Sequence, residues 1–339
     1  MPQGQRCTAA RIHCNGRAAP RLRKKDTMKP DLENSRSFAM TLAHRAVRDV
    51  RRDGFRQLRN YVDMCALLAQ RPDLKRFFDH AQTVLQRTDS LYYGLVRRLV
   101  EEVREEVICN VGINLGFDSL IYGASRIKAE GNRDTSWSNV AIADAEGLDA
   151  AVSAAENAGS FTWVFALTRP LTARTVQIIR NHPYSVFFVL ADPALMTPET
   201  VMLLEPCVNA VELLFLHEPE LTSEACEAAR DMKHRKMFCG FLVELDEAGA
   251  TQAMQPDWLD VLAQYSMFCI YARKPDMTEE TSRNLHTQIV HSREEVVQVP
   301  LLLFDWEEDL RQIGAVASPG AVPGRCLPEG ETFPLNLDY

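Results

Sequence analysis

The chain has 339 residues, of which 46% are apolar and 25% are charged, a composition typical of a globular protein and not of a disordered one. No apolar run approaches the roughly 18 residues of a transmembrane helix, so the sequence predicts no membrane span. The formal net charge of −8 disfavours nucleic-acid binding by the body of the chain.

The charge is distributed unevenly. Residues 1–36 contain nine basic and three acidic residues, which leaves 29 basic and 43 acidic residues, a net charge of −14, for the rest. This segment lacks the apolar stretch of a secretory signal, and its composition predicts a disordered basic head of the kind that binds nucleic acid or anionic lipid. An alternative interpretation is that Met28 is the true first residue and that residues 1–27 are not native.

The cysteines predict a reduced, cytoplasmic protein. The chain has nine, an odd number, and no two lie closer than seven residues apart. This spacing fits neither a zinc site nor a redox motif. In a chain of this length without a secretory signal, we expect free thiols that pack as small apolar groups.

For residues 37–135 the sequence pattern predicts helices only, because apolar residues recur there at helical spacing in five segments. The fourth segment, 91–107, presents one apolar face and one charged face. The fifth covers 117–130, and the nearby Cys109 is predicted to be a packing residue.

From residue 136 onward, short apolar runs alternate with amphipathic helices. The predicted strands are 139–143, 162–167, 185–190, 210–216, 237–245, 267–272 and 300–304. The predicted helices are 147–158, 172–181, 198–205, 222–234, 256–264 and 278–292. This alternation indicates an α/β protein with a parallel sheet, and the number of repeats favours a partial or near-complete TIM-type barrel over residues 136–314. Residues 315–339 are proline-rich and are predicted to form an extended tail.

In such folds the functional residues lie at the carboxyl ends of the strands. Polar side chains follow most of the predicted strands, and we expect a ligand-binding rim at the barrel mouth that consists of Asp144, Arg169, Asp192, Glu244, Arg273 and Asp305. His217 is the only histidine in this ring, so a metal site built from histidines is not expected. His182 precedes a proline and is predicted to lie at the surface.

Residues 155–204 (AENAGSFTWVFALTRPLTARTVQIIRNHPYSVFFVLADPALMTPETVMLL) resemble the radical S-adenosylmethionine (SAM) family, in particular bacterial SPASM-type members. The LTRPL at 167–171 stands where that branch has TGGEPL, and the ADPALM at 191–196 stands where it has TNGTLI. Residues 136–144 and 300–320 resemble its first strand and its post-barrel region. The resemblance covers about residues 55–320 and implies a barrel.

The resemblance also implies a [4Fe–4S] cluster, held by three thiolates of a CxxxCxxC motif after the first strand, with SAM on the open iron. Here the loop after that strand reads DAEG (144–147), and no cysteine lies between Cys109 and Cys207. Arg169 stands where the family has a glutamate that contacts the SAM ammonium group. We therefore expect no cluster, and SAM is the one cofactor that the resemblance leaves open.

Three functional hypotheses follow. The first is a non-catalytic radical-SAM-like barrel that binds a small ligand or a protein partner. The second is a barrel enzyme whose rim carboxylates and arginines do acid–base chemistry or hold Mg²⁺. The third is an interaction scaffold built on the N-terminal helices, through Tyr61, Leu68, Phe77, Phe78, Tyr92 and Tyr93. A simpler interpretation of those helices is that they cap the barrel.

Overall fold

The computed structural model describes residues 30–69, 71–130, 135–294, 300–321, 323–327 and 333–335. Within them, eight parallel strands form one sheet. The strands are β1 (Ser138–Ile142), β2 (Thr162–Leu167), β3 (Val186–Ala191), β4 (Ala210–Leu216), β5 (Cys239–Leu245), β6 (Phe268–Arg273), β7 (Leu302–Asp305) and β8 (Gly324–Cys326). Their order in the sheet is β7-β6-β5-β4-β3-β2-β1-β8.

The seven predicted strands are all present, with bounds shifted by at most two residues. Strands β1 to β7 are neighbours in chain order, which is the arrangement of a (β/α) barrel. β7 and β8 are the two edges, and in the described part of the chain no pairing joins them. The α/β class and the parallel sheet are therefore confirmed, whereas closure into a complete barrel is not observed.

Helices precede and connect the strands. Before the sheet lie α1 (Pro30–Asp53), α2 (Phe55–Leu68), α3 (Pro72–Gln86), α4 (Leu91–Glu102), α5 (Glu105–Ile113), a π-helical segment (Asn114–Gly123) and α6 (Ala124–Glu130). Along the sheet lie α7 (Leu148–Ala158), α8 (Ala173–Asn181), α9 (Pro198–Leu204), α10 (Ser223–His234), α11 (Glu247–Ala253), α12 (Pro256–Tyr265), α13 (Glu279–Glu294) and α14 (Trp306–Ala317).

The structure adds elements that the sequence did not predict. These include α11, α14, a 3-10 helix at Pro193–Leu195 and the short strand β8, which lies in the segment expected to be an extended tail. The predicted fourth helix, 91–107, is divided between α4 and α5. Helix α1 begins at Pro30, so residues 30–36 are helical although they were assigned to the disordered head. The rest of that head, residues 1–29, lies outside the described residues.

Threonine caps fix where the helices after β2, β3 and β4 begin. The hydroxyls of Thr172, Thr197 and Thr222 accept hydrogen bonds from the backbone N–H groups three residues on, at the starts of α8, α9 and α10. A cap of this kind stabilises a helix by about 1 kcal/mol. Each cap also fixes the length of the loop between a strand and its helix, and these loops form the carboxyl-terminal rim of the sheet.

Both faces of the sheet are buried. On one face, large side chains of the strands pack against the connecting helices; examples are Phe165, Phe187, Phe241 and Tyr271. On the other face, strand residues such as Ile142, Leu190, Leu213 and Leu242 belong to a core that also contains residues of α4, α5 and α14. Two-sided burial explains why the strands are continuous apolar runs.

Helices α4 and α5 lie across the amino-terminal end of the sheet. The Arg98 guanidinium donates to the carbonyl oxygens of Ser266 and Pro300, which precede β6 and β7, at 3.0 Å each. The backbone N–H of Arg104 donates to the carbonyl oxygen of Lys236, before β5, at 3.0 Å. These contacts favour the capping interpretation of the N-terminal helices.

Residues 105–129 form a continuous helix that is long and apolar enough to cross a membrane by length and composition alone. Its central π-helical segment is instead part of the core, with the side chains of Asn114 and Asp118 buried. The Asn114 amide donates to the Ser185 carbonyl oxygen before β3 at 2.8 Å, and Arg36 Nε donates to Asp118 Oδ2 at 2.8 Å. Because its polar side chains bond to the protein interior, this is a core helix, and it gives no evidence of a membrane span.

The Arg36–Asp118 pair connects α1 to this core helix, and its loss is predicted to destabilise the fold. Arg36→Gln leaves a carboxylate that is 2% exposed without its cation, which costs about 3 kcal/mol of unfolding free energy. Asp118→Asn in the same chain is expected to recover part of the loss. Urea unfolding of the single and double variants measures both effects.

The matched control is Arg45→Gln, because Arg45 is 75% exposed and pairs with Asp49 at 3.5 Å on the surface. Exposed pairs contribute between about 0 and 1 kcal/mol. An Arg36→Gln variant as stable as the Arg45→Gln variant would contradict the structural role of the buried pair.

Candidate functional site

The six predicted rim residues all lie at or just beyond the carboxyl ends of strands, but they form three separate groups. Asp144 pairs with Arg169, Asp192 and Glu244 flank His217, and Arg273 pairs with Asp305. Each of the first two groups contains a side chain that is at least 60% exposed, while the third contains Asp305, which is 1% exposed.

The first group joins the ends of β1 and β2. Arg169 Nε lies 3.1 Å from Asp144 Oδ2, and the two side chains are 60% and 27% exposed. At this exposure the ion pair contributes little to stability. The planar guanidinium stays accessible, which makes it suited to binding a carboxylate or a phosphate.

The second group joins the ends of β3, β4 and β5. His217 Nε2 lies 3.9 Å from Asp192 Oδ2, and His217 Nδ1 lies 3.9 Å from Glu244 Oε2. The imidazole packs against the Phe215 ring with centroids 4.6 Å apart, and Asp192 Oδ1 accepts a hydrogen bond from the Ala194 N–H at 2.8 Å. An imidazole in this position can hold or move a proton, and the two carboxylates beside it can attract a cationic group.

The third group lies on the helix-covered face of the sheet. The Arg273 guanidinium donates to Asp305 Oδ2 at 2.6 Å, and His286 Nδ1 of α13 lies 2.9 Å from the same oxygen. Asp305 is 1% exposed, and its Oδ1 accepts the Glu308 N–H at the start of α14. Both Asp305 oxygens have protein partners, whereas Arg273 Nε is buried without a hydrogen-bond partner among the described residues. The ligand role assigned to Arg273 and Asp305 stays a prediction.

The loop after β1 has no groups that fit an iron–sulfur cluster. Ala143 and Ala145 are buried, the Ala145 N–H donates to the Ile142 carbonyl oxygen at 3.0 Å, and Gly147 adopts φ +76° immediately before α7. In the described ranges no three His, Cys, Asp or Glu side chains are arranged to hold a metal ion. The residues of this loop therefore do not fit a cluster that needs three thiolates.

The buried cysteines behave as packing groups. Burial raises the pKa of Cys109 to about 11 and the pKa values of Cys207 and Cys239 to about 12. Metal ligation and nucleophilic attack both require the thiolate, which these values disfavour at neutral pH. Cys109 packs against Val47, in agreement with the packing role predicted for it.

The prediction that His182 lies at the surface is wrong. It is 5% exposed, and its Nδ1 lies 2.9 Å from Glu156 Oε2. Burial acts to lower the pKa of His182, but the hydrogen bond and charge of Glu156 raise it above the usual value. The proline beside His182 indicated a turn correctly, but carried no information about which side of the turn is buried.

Nothing in the sequence pattern indicated Glu307, which lies next to the Arg273–Asp305 pair. Glu307 Oε1 accepts the backbone N–H of Arg273 at 3.0 Å. Burial raises the pKa of Glu307 to about 7, although the Arg273 N–H and guanidinium partly offset this effect. Its position at the first turn of α14 was not detectable, because α14 itself was not predicted.

A cavity of about 230 Å³ lies away from the rim, between α14 and the amino-terminal end of β1. Its lining includes Ser136, Trp137, Gly314 and Ser318. None of the charged rim residues lines this cavity. We place the candidate site at the carboxyl ends of the strands because the charged side chains that could bind a polar ligand lie there.

The fold and the rim define an α/β protein with an open parallel barrel-like sheet. No family model and no curated protein matches the chain. Three solved structures of SuiB from Streptococcus suis are similar. SuiB alone has 8% sequence identity and a TM-score of 0.39, over 51% of this chain and 50% of SuiB. SuiB bound to the precursor peptide SuiA has 8% identity and a TM-score of 0.42, over 54% of this chain and 52% of SuiB, and SuiB bound to SAM has 11% identity and a TM-score of 0.44, over 59% and 61%. The chain thus aligns with between half and about three-fifths of the length of SuiB, and at these TM-scores the likeness carries no functional argument.

The buried Glu307 predicts a pH dependence of stability. In the folded chain the pKa of Glu307 is about 7, above the usual 4.5. Its stabilising contribution to the free energy of unfolding is therefore fully present below pH 4.5 and is lost as the pH rises through 7. Relative to Glu307→Gln, the wild type is expected to lose between about 1 and 3 kcal/mol across this window. Urea unfolding at a series of pH values measures the difference.

Glu279→Gln is the control, because Glu279 is an exposed carboxylate of α13. It should leave the pH profile of the wild type unchanged. A Glu307→Gln profile with the same slope as the wild type would contradict the raised pKa.

Proposed function

We propose that this chain is a radical-SAM-like barrel protein without the [4Fe–4S] cluster, which binds a small polar ligand at the carboxyl-terminal rim of its sheet. The observation that carries the proposal is the β1–α7 loop, where residues 143–147 form a tight turn with buried alanines and no thiol. The place at which the family resemblance expects three cluster ligands thus has neither the residues nor the length for them.

The rim supports a ligand that carries both signs of charge. Asp192 and Glu244, on either side of His217, favour a cationic group, and the exposed Arg169 favours an anionic group. SAM has a sulfonium, an ammonium and a carboxylate, and we propose it as one ligand of this class.

A second candidate function is an acid–base enzyme centred on His217. The observation in its favour is the imidazole 3.9 Å from a carboxylate on each side, in a rim that solvent reaches. General acid–base catalysis by a positioned histidine contributes a factor of about 100 to 10,000. A His217→Gln variant with unchanged turnover of any substrate found would exclude this candidate.

The cluster part of the proposal predicts a colourless protein. After anaerobic expression and iron–sulfur reconstitution, we expect no absorption band near 400 nm and no stoichiometric iron, because no described group of side chains fits a cluster. About four irons per chain would contradict the proposal and would require another set of cysteine ligands.

The ligand part is tested by calorimetric titration of the full chain with SAM. Saturable binding that is lost in Arg169→Gln and in the Asp192→Asn/Glu244→Gln double variant would support SAM at the rim. Arg283→Gln, an exposed change on α13, is the matched control and should bind as the wild type does. Equal binding by all the variants would contradict the rim assignment.

A further inference from the structure

The corner between α1 and α2 is a strongly basic surface on an acidic protein. Residues 44–59 contain six arginines and two aspartates, whereas the whole chain has a net charge of −8. The basic segment 1–36 overlaps the first residues of α1. Charge that is concentrated in this way marks a surface for an anionic partner.

The two helices fold back on each other at Gly54. Gly54 has φ +55°, a value that side-chain-bearing residues rarely adopt. The Tyr61 hydroxyl of α2 donates to Asp49 Oδ2 of α1 at 2.7 Å, although 12 residues of straight helix would span about 18 Å. The hairpin therefore brings the arginines before and after Gly54 to one corner.

Three arginines at this corner form no ion pair among the described residues, although one of them, Arg52, adds its charge to the Tyr61 hydrogen bond in lowering the pKa of Asp49. Arg45 pairs with Asp49, while Arg48 and Arg51 lie within ion-pair distance of Glu105. By contrast, the exposed Arg52, Arg56 and Arg59 have no carboxylate at ion-pair distance in the part of the chain that the structure describes. Such a set of guanidinium groups fits phosphates, which they bind in a bidentate manner.

An exposed aromatic ring lies between these arginines in the chain. Phe55 is 41% exposed and is the only large apolar side chain of residues 44–59 that the structure shows exposed. Its ring is 4.3 Å from that of Tyr93, and the Arg97 guanidinium lies 5.8 Å from its centroid. One fixed ring is a poor membrane anchor, but it can stack with an unpaired base.

We propose that the α1–α2 hairpin binds single-stranded nucleic acid, with Arg52, Arg56 and Arg59 on successive phosphates and a base stacked on Phe55. Single strands are favoured over duplexes because only an unpaired base presents its face to an aromatic side chain. The site lies on the N-terminal helices and is independent of the ligand proposed for the rim.

The test is fluorescence anisotropy of a labelled, mixed-sequence RNA of about 20 nucleotides with the full chain, from about 50 to 300 mM salt. The Arg52→Gln/Arg56→Gln/Arg59→Gln variant should bind at least about tenfold more weakly at low salt, and its log–log salt slope should fall by about 2, since each single-strand phosphate contact contributes about 0.7. Phe55→Leu should lower the affinity for RNA severalfold, with no change in the salt slope.

The matched control is Arg174→Gln/Arg180→Gln/Arg283→Gln, which removes three exposed arginines from α8 and α13. This control should bind RNA within about twofold of the wild type, although its net charge is the same as that of the hairpin variant. The proposal is overturned by no RNA binding at the lowest salt, by equal losses in the two triple variants, or by a chain that binds phosphatidylserine vesicles but not RNA.

Discussion

Each inner strand of the sheet buries side chains on both of its faces, so the sheet needs a layer of apolar side chains on either side. The connecting helices supply one layer, and side chains from α4, α5 and α14 contribute to the other. The carbonyl groups before the strands then lie under helices, and arginine and asparagine side chains bond to them. The carboxyl-terminal end is where polar side chains remain exposed, and this arrangement locates the candidate site.

Two buried aspartates differ from the polar side chains of the rim in their exposure and in their partners. Asp118 and Asp305 are almost completely buried, and each bonds to an arginine. Arg169, Asp192 and His217 are 60%, 47% and 64% exposed, at distances of 3.1 to 3.9 Å from their neighbours. Removing one partner of a buried ion pair leaves an uncompensated charge, whereas exposed ion pairs contribute little to stability and can be exchanged for contacts with a ligand at little cost.

The strands could be predicted because buried parallel strands are continuous apolar runs, and the rim followed from their order. The grouping within the rim could not be predicted. Arg273 and Asp305 directly follow Ala272 and Phe304, whose side chains lie on the face that packs with α4, α5 and α14. Because successive side chains of a strand point to opposite faces, Arg273 and Asp305 lie on the face next to α13. An error of one residue in the predicted strand register would place Arg273 and Asp305 on the opposite face of the sheet. The three-residue strand β8 and the alanine-rich helix α11 have too little apolar pattern to detect.

The most direct test is native mass spectrometry of the full chain, isolated anaerobically from the cells that express it, beside the Arg169→Gln/Asp192→Asn/Glu244→Gln variant. The account predicts a wild-type chain that has no iron–sulfur mass and carries a small-molecule adduct, which is lost in the triple variant but is kept in Arg283→Gln. A cluster mass on the wild type, or an adduct that persists in the triple variant, would contradict a cluster-free barrel with its ligand at the rim.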